Sequence, residues 1–108
     1  INTAAFTAVD KAEIEVSKAF AINAYGVENL AKTCSIYGGK LLQISTDYVF
    51  DGSNNLPYKV NDIRNPISKY GLSKAKGEEI DADNIRKIIN RNNKIFEPLS
   101  FISINNNF

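Results

Sequence analysis

Histidine, methionine and tryptophan are absent from this 108-residue sequence, and cysteine occurs once, at Cys34. A lone thiol excludes an internal disulfide, and without histidine only carboxylates remain as protein metal ligands, so no zinc or other metal site is expected. An excess of either charge is also missing. Thirteen Lys+Arg face twelve Asp+Glu, a net charge of +1, which leaves no electrostatic footprint for nucleic acid or an anionic membrane. No apolar run approaches the ~18–20 residues that cross a bilayer, and no cleavable signal pattern opens the sequence, so the expected location is cytoplasmic. The first residue is Ile1; a processed chain or part of a longer reading frame is expected. The length fits one domain or a piece of a larger one, and a domain of this size buries only about two-thirds of its unfolded surface.

What is present alternates helix and strand signals. Residues 1–5 read as the last step of a buried strand entering a small-residue turn, Thr3-Ala4-Ala5. Asp10 and Glu13 have capping-box spacing for a helix start. From about 15 to 37 the apolar positions Val16, Ala19, Phe20, Ile22, Ala24, Val27, Leu30, Ala31 and Cys34 recur every three or four residues, predicting one long amphipathic helix. Cys34 reads as a small core residue. Gly38-Gly39 stops that helix. The run 40–45 has strand length, and a helix feeding a buried strand is half of a βαβ unit, hence a parallel sheet. Residues 51–66 form a long turn-rich loop leaving the strand end, where open α/β sheets place ligands. A second helix is predicted over roughly 66–83, with Pro66 in its first turn. Residues 84–108 contain seven Asn and six Ile; within them 86–90 or 94–96 could each supply a strand, though no clear period supports either.

Two clusters can carry chemistry. Tyr70-Gly71-Leu72-Ser73-Lys74 sets a phenol and an ammonium one helical turn apart, on one face at roughly 6 Å. A nearby cation favours the phenolate and so brings a tyrosine toward proton exchange near neutrality; the bland alternative is a solvated i,i+4 pair. Ser45-Thr46-Asp47-Tyr48-Val49-Phe50-Asp51-Gly52 places hydroxyls and a carboxylate directly after a strand, where they can meet a ligand or simply bond local backbone. Asn23 lies among apolar helix neighbours, where an amide is costly unless satisfied.

Four ordered segments, 2–13, 23–31, 45–52 and 70–78 (the last ending Gly77-Glu78), together resemble the dTDP-4-dehydrorhamnose reductase family of the extended short-chain dehydrogenase/reductase superfamily. The likeness covers about residues 1–79. It implies an α/β fold: a partial Rossmann-type doubly wound parallel sheet lacking the first βα units and the substrate domain. Residues 1–83 would be the central part of an NAD(P)-binding domain and 84–108 a divergent tail. The implied reaction reduces the 4-keto group of a dTDP-4-keto-6-deoxyhexose with NADPH or NADH, giving dTDP-L-rhamnose for surface polysaccharide. By position, Tyr70 would donate the proton and Lys74 would bond the nicotinamide ribose and depress the Tyr70 pKa. Thr46 would bond near the carbonyl oxygen, with Asp47 beside it at the substrate. Ala5, Phe6, Thr7 and Ile44 would line the cofactor, and Asn23 would support active-site water and backbone geometry.

The sequence departs from that family in three places. It has no Gly-rich phosphate-binding turn, its tail after Glu79 does not match, and Thr3 stands where relatives usually carry Ala. Without the turn a dinucleotide loses the helix N-terminus that receives its pyrophosphate, so this chain by itself is expected to be inactive. Two readings of another class stay open: a non-catalytic remnant, and a regulatory binding module. For the latter, the regulatory subunit of methionine adenosyltransferase has a segment similar to residues 46–52, whereas residues 7–13 argue for the reductase. Unpaired parallel edges predict a homodimer or pairing with complementing fragments.

Overall fold

The computed structural model describes residues 1–59, 62–92 and 102–103, with side chains described as far as residue 80. Helices dominate: α1 (Val9–Ala12), α2 (Val16–Phe20), a π-helical turn (Ala21–Tyr25), α3 (Gly26–Tyr37) and α4 (Lys69–Asn92). The strands are short, β1 (Ile44–Ser45) and β2 (Ile102–Ser103), and β1 leads into a 3₁₀ turn at Asp47–Val49. β1 pairs in parallel with β2, Ile44 opposite Ile102 and Ser45 opposite Ser103. On its other side Asn2 forms a parallel bridge with Gln43. Segments far apart in sequence thus lie side by side in the same direction with helices between them, the α/β arrangement that the helix-to-strand order predicts. The expected strand over 40–45 shortens to two residues, and that over 1–5 to the bridge at Asn2. Ile1 is 86% exposed.

The long helix forms, with one interruption. In the π turn the Gly26 N–H reaches back five residues to the Ala21 carbonyl, and the extra residue shifts the buried stripe to Ala19, Asn23, Ala24, Val27 and Ala31. Ile22 and Leu30, expected on the apolar face, are turned outward, and Cys34 is only half-buried. Gly38 closes the helix at φ 69°, while the Gly39 N–H bonds the Cys34 carbonyl. The left-handed conformation there is one that side chains with a Cβ resist.

The capping box does not form. α1 starts at Val9 without a side-chain cap, and Glu13 instead accepts the Lys69 N–H at 2.7 Å, at the start of α4. Ser68 completes that cap by accepting the Gly71 N–H at 3.0 Å. Two acceptors, one negatively charged, on the free N–H groups of a first turn fix the start at Lys69 rather than near Pro66. With no Gly or Pro between 78 and 92, the helix runs on past the expected end at 83. The strand option at 86–90 is therefore helical, and the one at 94–96 lies outside the described residues.

Close approach of α4 to the rest of the chain depends on two glycines. A Cβ at Gly77 would run into the Asn23 carbonyl, and one at Gly71 into the Tyr48 carbonyl. The interior assembled this way is small and unusually polar. Among the described residues eight buried apolar side chains, mostly Ala and Val, accompany seven buried polar ones: Asn23, Gln43, Ser45, Thr46, Ser73, Lys74 and Glu78. All but Gln43 converge where α4 passes the end of β1 and the π turn, which makes that junction a candidate site.

Candidate active site

The chain leaves β1 through Thr46, whose extended backbone and hydroxyl cap the 3₁₀ turn by accepting the Tyr48 N–H at 3.3 Å. The same hydroxyl lies 3.3 Å from the Asp47 carboxylate and stands near enough to the Tyr70 phenol to lower its pKa. Tyr48 covers that phenol edge-on, its ring centroid 5.5 Å from that of Tyr70. A short polar strand exit therefore gathers a hydroxyl, a carboxylate and a second aromatic ring around one tyrosine.

Tyr70, Ser73, Lys74 and Glu78 occupy one stripe of α4, all of them buried, as 3- and 4-residue steps on a helix require. Burial pushes the Tyr70 phenol above its ordinary pKa; the Thr46 hydroxyl works the other way, and the Asp47 and Tyr48 charges add to the rise. The expectation that Lys74 depresses this pKa is not met. The Lys74 ammonium turns instead to the Ile44 carbonyl, 2.7 Å away. Burial lowers the Lys74 pKa, opposed by the Glu78 carboxylate one turn further along. Tyr70 accordingly keeps its proton at physiological pH, beside a lysine bonded to the Ile44 carbonyl.

Asn23, in the π turn, is 2% exposed and fully bonded. Its side-chain oxygen accepts the Phe6 N–H at 2.8 Å, and its amide donates to the Phe6 carbonyl at 3.0 Å and to the Ser73 hydroxyl at 2.9 Å. Ser73 in turn donates to the Tyr70 carbonyl at 2.7 Å. One amide thus locks residues 5–7 to the helix that carries Tyr70 and Lys74. A π turn inside an α-helix is a rare feature concentrated at functional sites, and here it aims Asn23 inward without breaking the helix.

Beyond the 3₁₀ turn the loop is organised by Asp51. Its carboxylate accepts the Ser53 N–H at 2.9 Å and hydroxyl at 2.6 Å, the Tyr58 hydroxyl at 3.2 Å and the Asn65 amide at 2.9 Å. These bonds, those from Ser53 foremost, hold its pKa well below the usual carboxylate range. Phe50 and Tyr58 stack with centroids 4.1 Å apart. Asp47, Tyr48, Asp51 and Tyr58 line an open cleft of about 630 Å³ between this loop and the start of α4, a volume in the range of small-molecule sites. Among the described residues no group of three or more Cys, Asp or Glu is placed to hold a metal ion, and no helix is long and apolar enough to cross a membrane.

The structure brings Thr46, Asp47 and Tyr70 together beside the cleft, which Asp47 helps to line. Ile44 and Lys74 lie beside them at the strand end, and Asn23 holds Phe6 behind. Ala5 and Thr7 flank Phe6, whose backbone is bonded to Asn23. Sequence reasoning missed Ser73, the capping role of Glu13 and the pair Arg64–Glu78. Only Glu78 carried a signal, its position four residues after Lys74.

Comparison with known proteins places the chain in a family. The family model described as RmlD substrate binding domain matches residues 1–104, beyond the 1–79 of the likeness read from motifs. A dTDP-4-dehydrorhamnose reductase of Aggregatibacter actinomycetemcomitans is 49% identical over 80 residues, covering 74% of this chain and 27% of that protein. A crystal structure of the reductase of that name from Clostridium acetobutylicum superposes with a TM-score of 0.75 at 46% identity, over 76% of this chain and 29% of the other. One from Bacillus anthracis, in complex with NADP, gives 0.73 at 43% identity over 75% and 29%. The chain therefore spans little more than a quarter of the length of the relatives it matches.

Proposed function

The chain belongs to the RmlD substrate binding domain family, and from that premise we propose that it is the catalytic centre of an NAD(P)H-dependent dTDP-4-dehydrorhamnose reductase built on part of a Rossmann-type doubly wound sheet. The observation that carries the reading is the buried Tyr70 phenol, beside Thr46 and set one helical turn before Lys74 at the end of a parallel strand. Likeness to full-length enzymes with that activity in their names, one solved with NADP, supports the choice of substrate and cofactor class. A cytoplasmic site of action goes with it.

The residues present fit the nicotinamide end of the cofactor. Thr3, Ala4, Thr7 and Ala8 are short, exposed side chains on a backbone pinned by Asn2 and Asn23, which leaves room for a flat ring. Lys74 and Tyr70 offer the donors that a ribose edge needs. No Gly-rich turn for the pyrophosphate occurs in the sequence. Held there, a reduced nicotinamide would supply the hydride that the C4 carbonyl carbon of the sugar needs. Tyr70 gives its proton to the carbonyl oxygen as that oxygen gains charge, and the product is the alcohol. Thr46 orients the phenol and shares the developing charge, Asp47 and Tyr48 meet the sugar at the mouth of the cleft, and Lys74 holds the ribose.

The test is reduction of dTDP-4-dehydro-L-rhamnose, followed by loss of nicotinamide absorbance, with the chain alone and with added segments of a full-length relative that contribute a phosphate turn. Cofactor oxidation that depends on the sugar and is abolished by Tyr70→Phe supports the reading. A full rate in Tyr70→Phe removes Tyr70 as proton donor; cofactor binding without any turnover favours a binding module instead.

A further inference from the structure

Glu78 is a carboxylate that the chemistry above does not use, yet it is 7% exposed in the most polar part of the interior. Burying a charge is costly unless it is paired, and a partner left without its pair costs more still. Its two oxygens are divided between different parts of the chain. One accepts from the Ser45 hydroxyl, the last residue of β1. The other meets the Arg64 guanidinium at 2.9 Å, from the end of the 51–66 loop. One helical turn earlier stands Lys74, bonded to the carbonyl of Ile44, the residue next to Ser45. Strand end, loop end and helix thus meet at a single anion, paired with the Arg64 guanidinium and one helical turn from the Lys74 ammonium.

We propose that Glu78 is a positioning residue of this site, the shared counter-charge through which Arg64 fixes the 51–66 loop and Lys74 is held as an ammonium at the end of β1. The assignment of Lys74 to a ribose rests on the function proposed above; the charge arrangement does not. Lys74 and Glu78 share α4 with Tyr70, Arg64 faces Glu78 from the loop, and Asp47 and Tyr48 face Tyr70 from the 3₁₀ turn. Glu78 attracts the Lys74 charge and Arg64 competes for Glu78, so removing each must move Lys74 in opposite directions. A merely structural role moves them together.

The test is the pH titration of the Lys74 side chain by heteronuclear NMR in the whole chain, its signal assigned with Lys74→Arg. Glu78→Gln shifts the Lys74 midpoint to lower pH, and Arg64→Gln shifts it to higher pH, because Glu78 is then left to Lys74 alone. Glu78→Asp lies between wild type and Glu78→Gln. Arg64 is partly exposed, so its variant folds even where Glu78→Gln does not, and an unmoved or lowered midpoint in Arg64→Gln overturns the proposal. An unchanged midpoint in folded Glu78→Gln does so too. Absence of reductase activity leaves these shifts in place, so failure of the functional reading is told apart from failure of this one.

Discussion

Replacing Asn23 with alanine tests how the π turn supports the site. The side chain makes three hydrogen bonds, two to the Phe6 backbone and one to the Ser73 hydroxyl. Each is worth about 1 kcal/mol net when the freed groups find water, and about 1–3 kcal/mol for a buried group left dry. Phe6 is half-buried and can rehydrate; Ser73 is fully buried but keeps its bond to the Tyr70 carbonyl. Alanine recovers about 0.5 kcal/mol of helix propensity, leaving a net loss of about 2–3 kcal/mol. With a urea slope of about 1 kcal/mol/M for a chain of this size, the unfolding midpoint falls by about 2 M. The assay is urea unfolding by far-UV circular dichroism, with hydrogen exchange at the Phe6 amide as a local reading. Asn23→Asp sharpens it. Aspartate keeps the acceptor for the Phe6 N–H but buries a charge and loses both donors, so at neutral pH it is worse than alanine and recovers as acid protonates it. An Asn23→Ala midpoint equal to the parent's, with Phe6 exchange unchanged, refutes the clamp.

Gly77→Ala, which in an ordinary helix interior stabilises by about 1 kcal/mol, is expected to destabilise by about 1–3 kcal/mol because the new methyl meets the Asn23 carbonyl; thermal melting reads the sign. The Tyr70 pKa is raised by burial, so the unfolded chain ionises first and stability falls as pH climbs from about 10 through the folded value. Tyr70→Phe removes both that loss and an ultraviolet titration step above the ordinary tyrosine range. For Asp51 the shift has the opposite sense: its contribution is present above the unfolded pKa of about 4 and disappears as pH falls through the lower folded value. Asp51→Asn is expected to loosen the Ser53 amide at neutral pH, seen as faster hydrogen exchange, while leaving the Ile44 and Phe6 amides unchanged.

Periodicity and punctuation carried much of the fold. Apolar residues from Val16 to Cys34 every three to four positions predicted the long helix, Gly38-Gly39 marked its end, and the polar strand exit at 45–47 and the Tyr70–Lys74 pair were legible as a candidate site. Local patterns failed where a distant partner decided the outcome. Asp10 and Glu13 looked like a cap for α1, but the Glu13 carboxylate finds the Lys69 N–H, 56 residues away. A helix entering near Pro66 looked reasonable until Ser68 and Glu13 together satisfied a later first turn. The spacing of Tyr70 and Lys74 suggested an ion-assisted phenolate; burial instead keeps the phenol neutral and turns the ammonium to the Ile44 carbonyl.

By itself the sequence determined what local chemistry can: which stretches are helical, where the chain turns, and which side chains able to transfer a proton follow a strand or share a helix face. The tertiary structure alone decided which of those groups are dry, which are paired and with what. Hydrogen-bond partners such as Asn23 and Ser73, or Ser45, Arg64 and Glu78, lie 14 to 50 residues apart. The pKa of Tyr70 and the charge environment of Lys74 depend on desolvation and on those neighbours, and neither quantity exists until the helices close over the end of the strand.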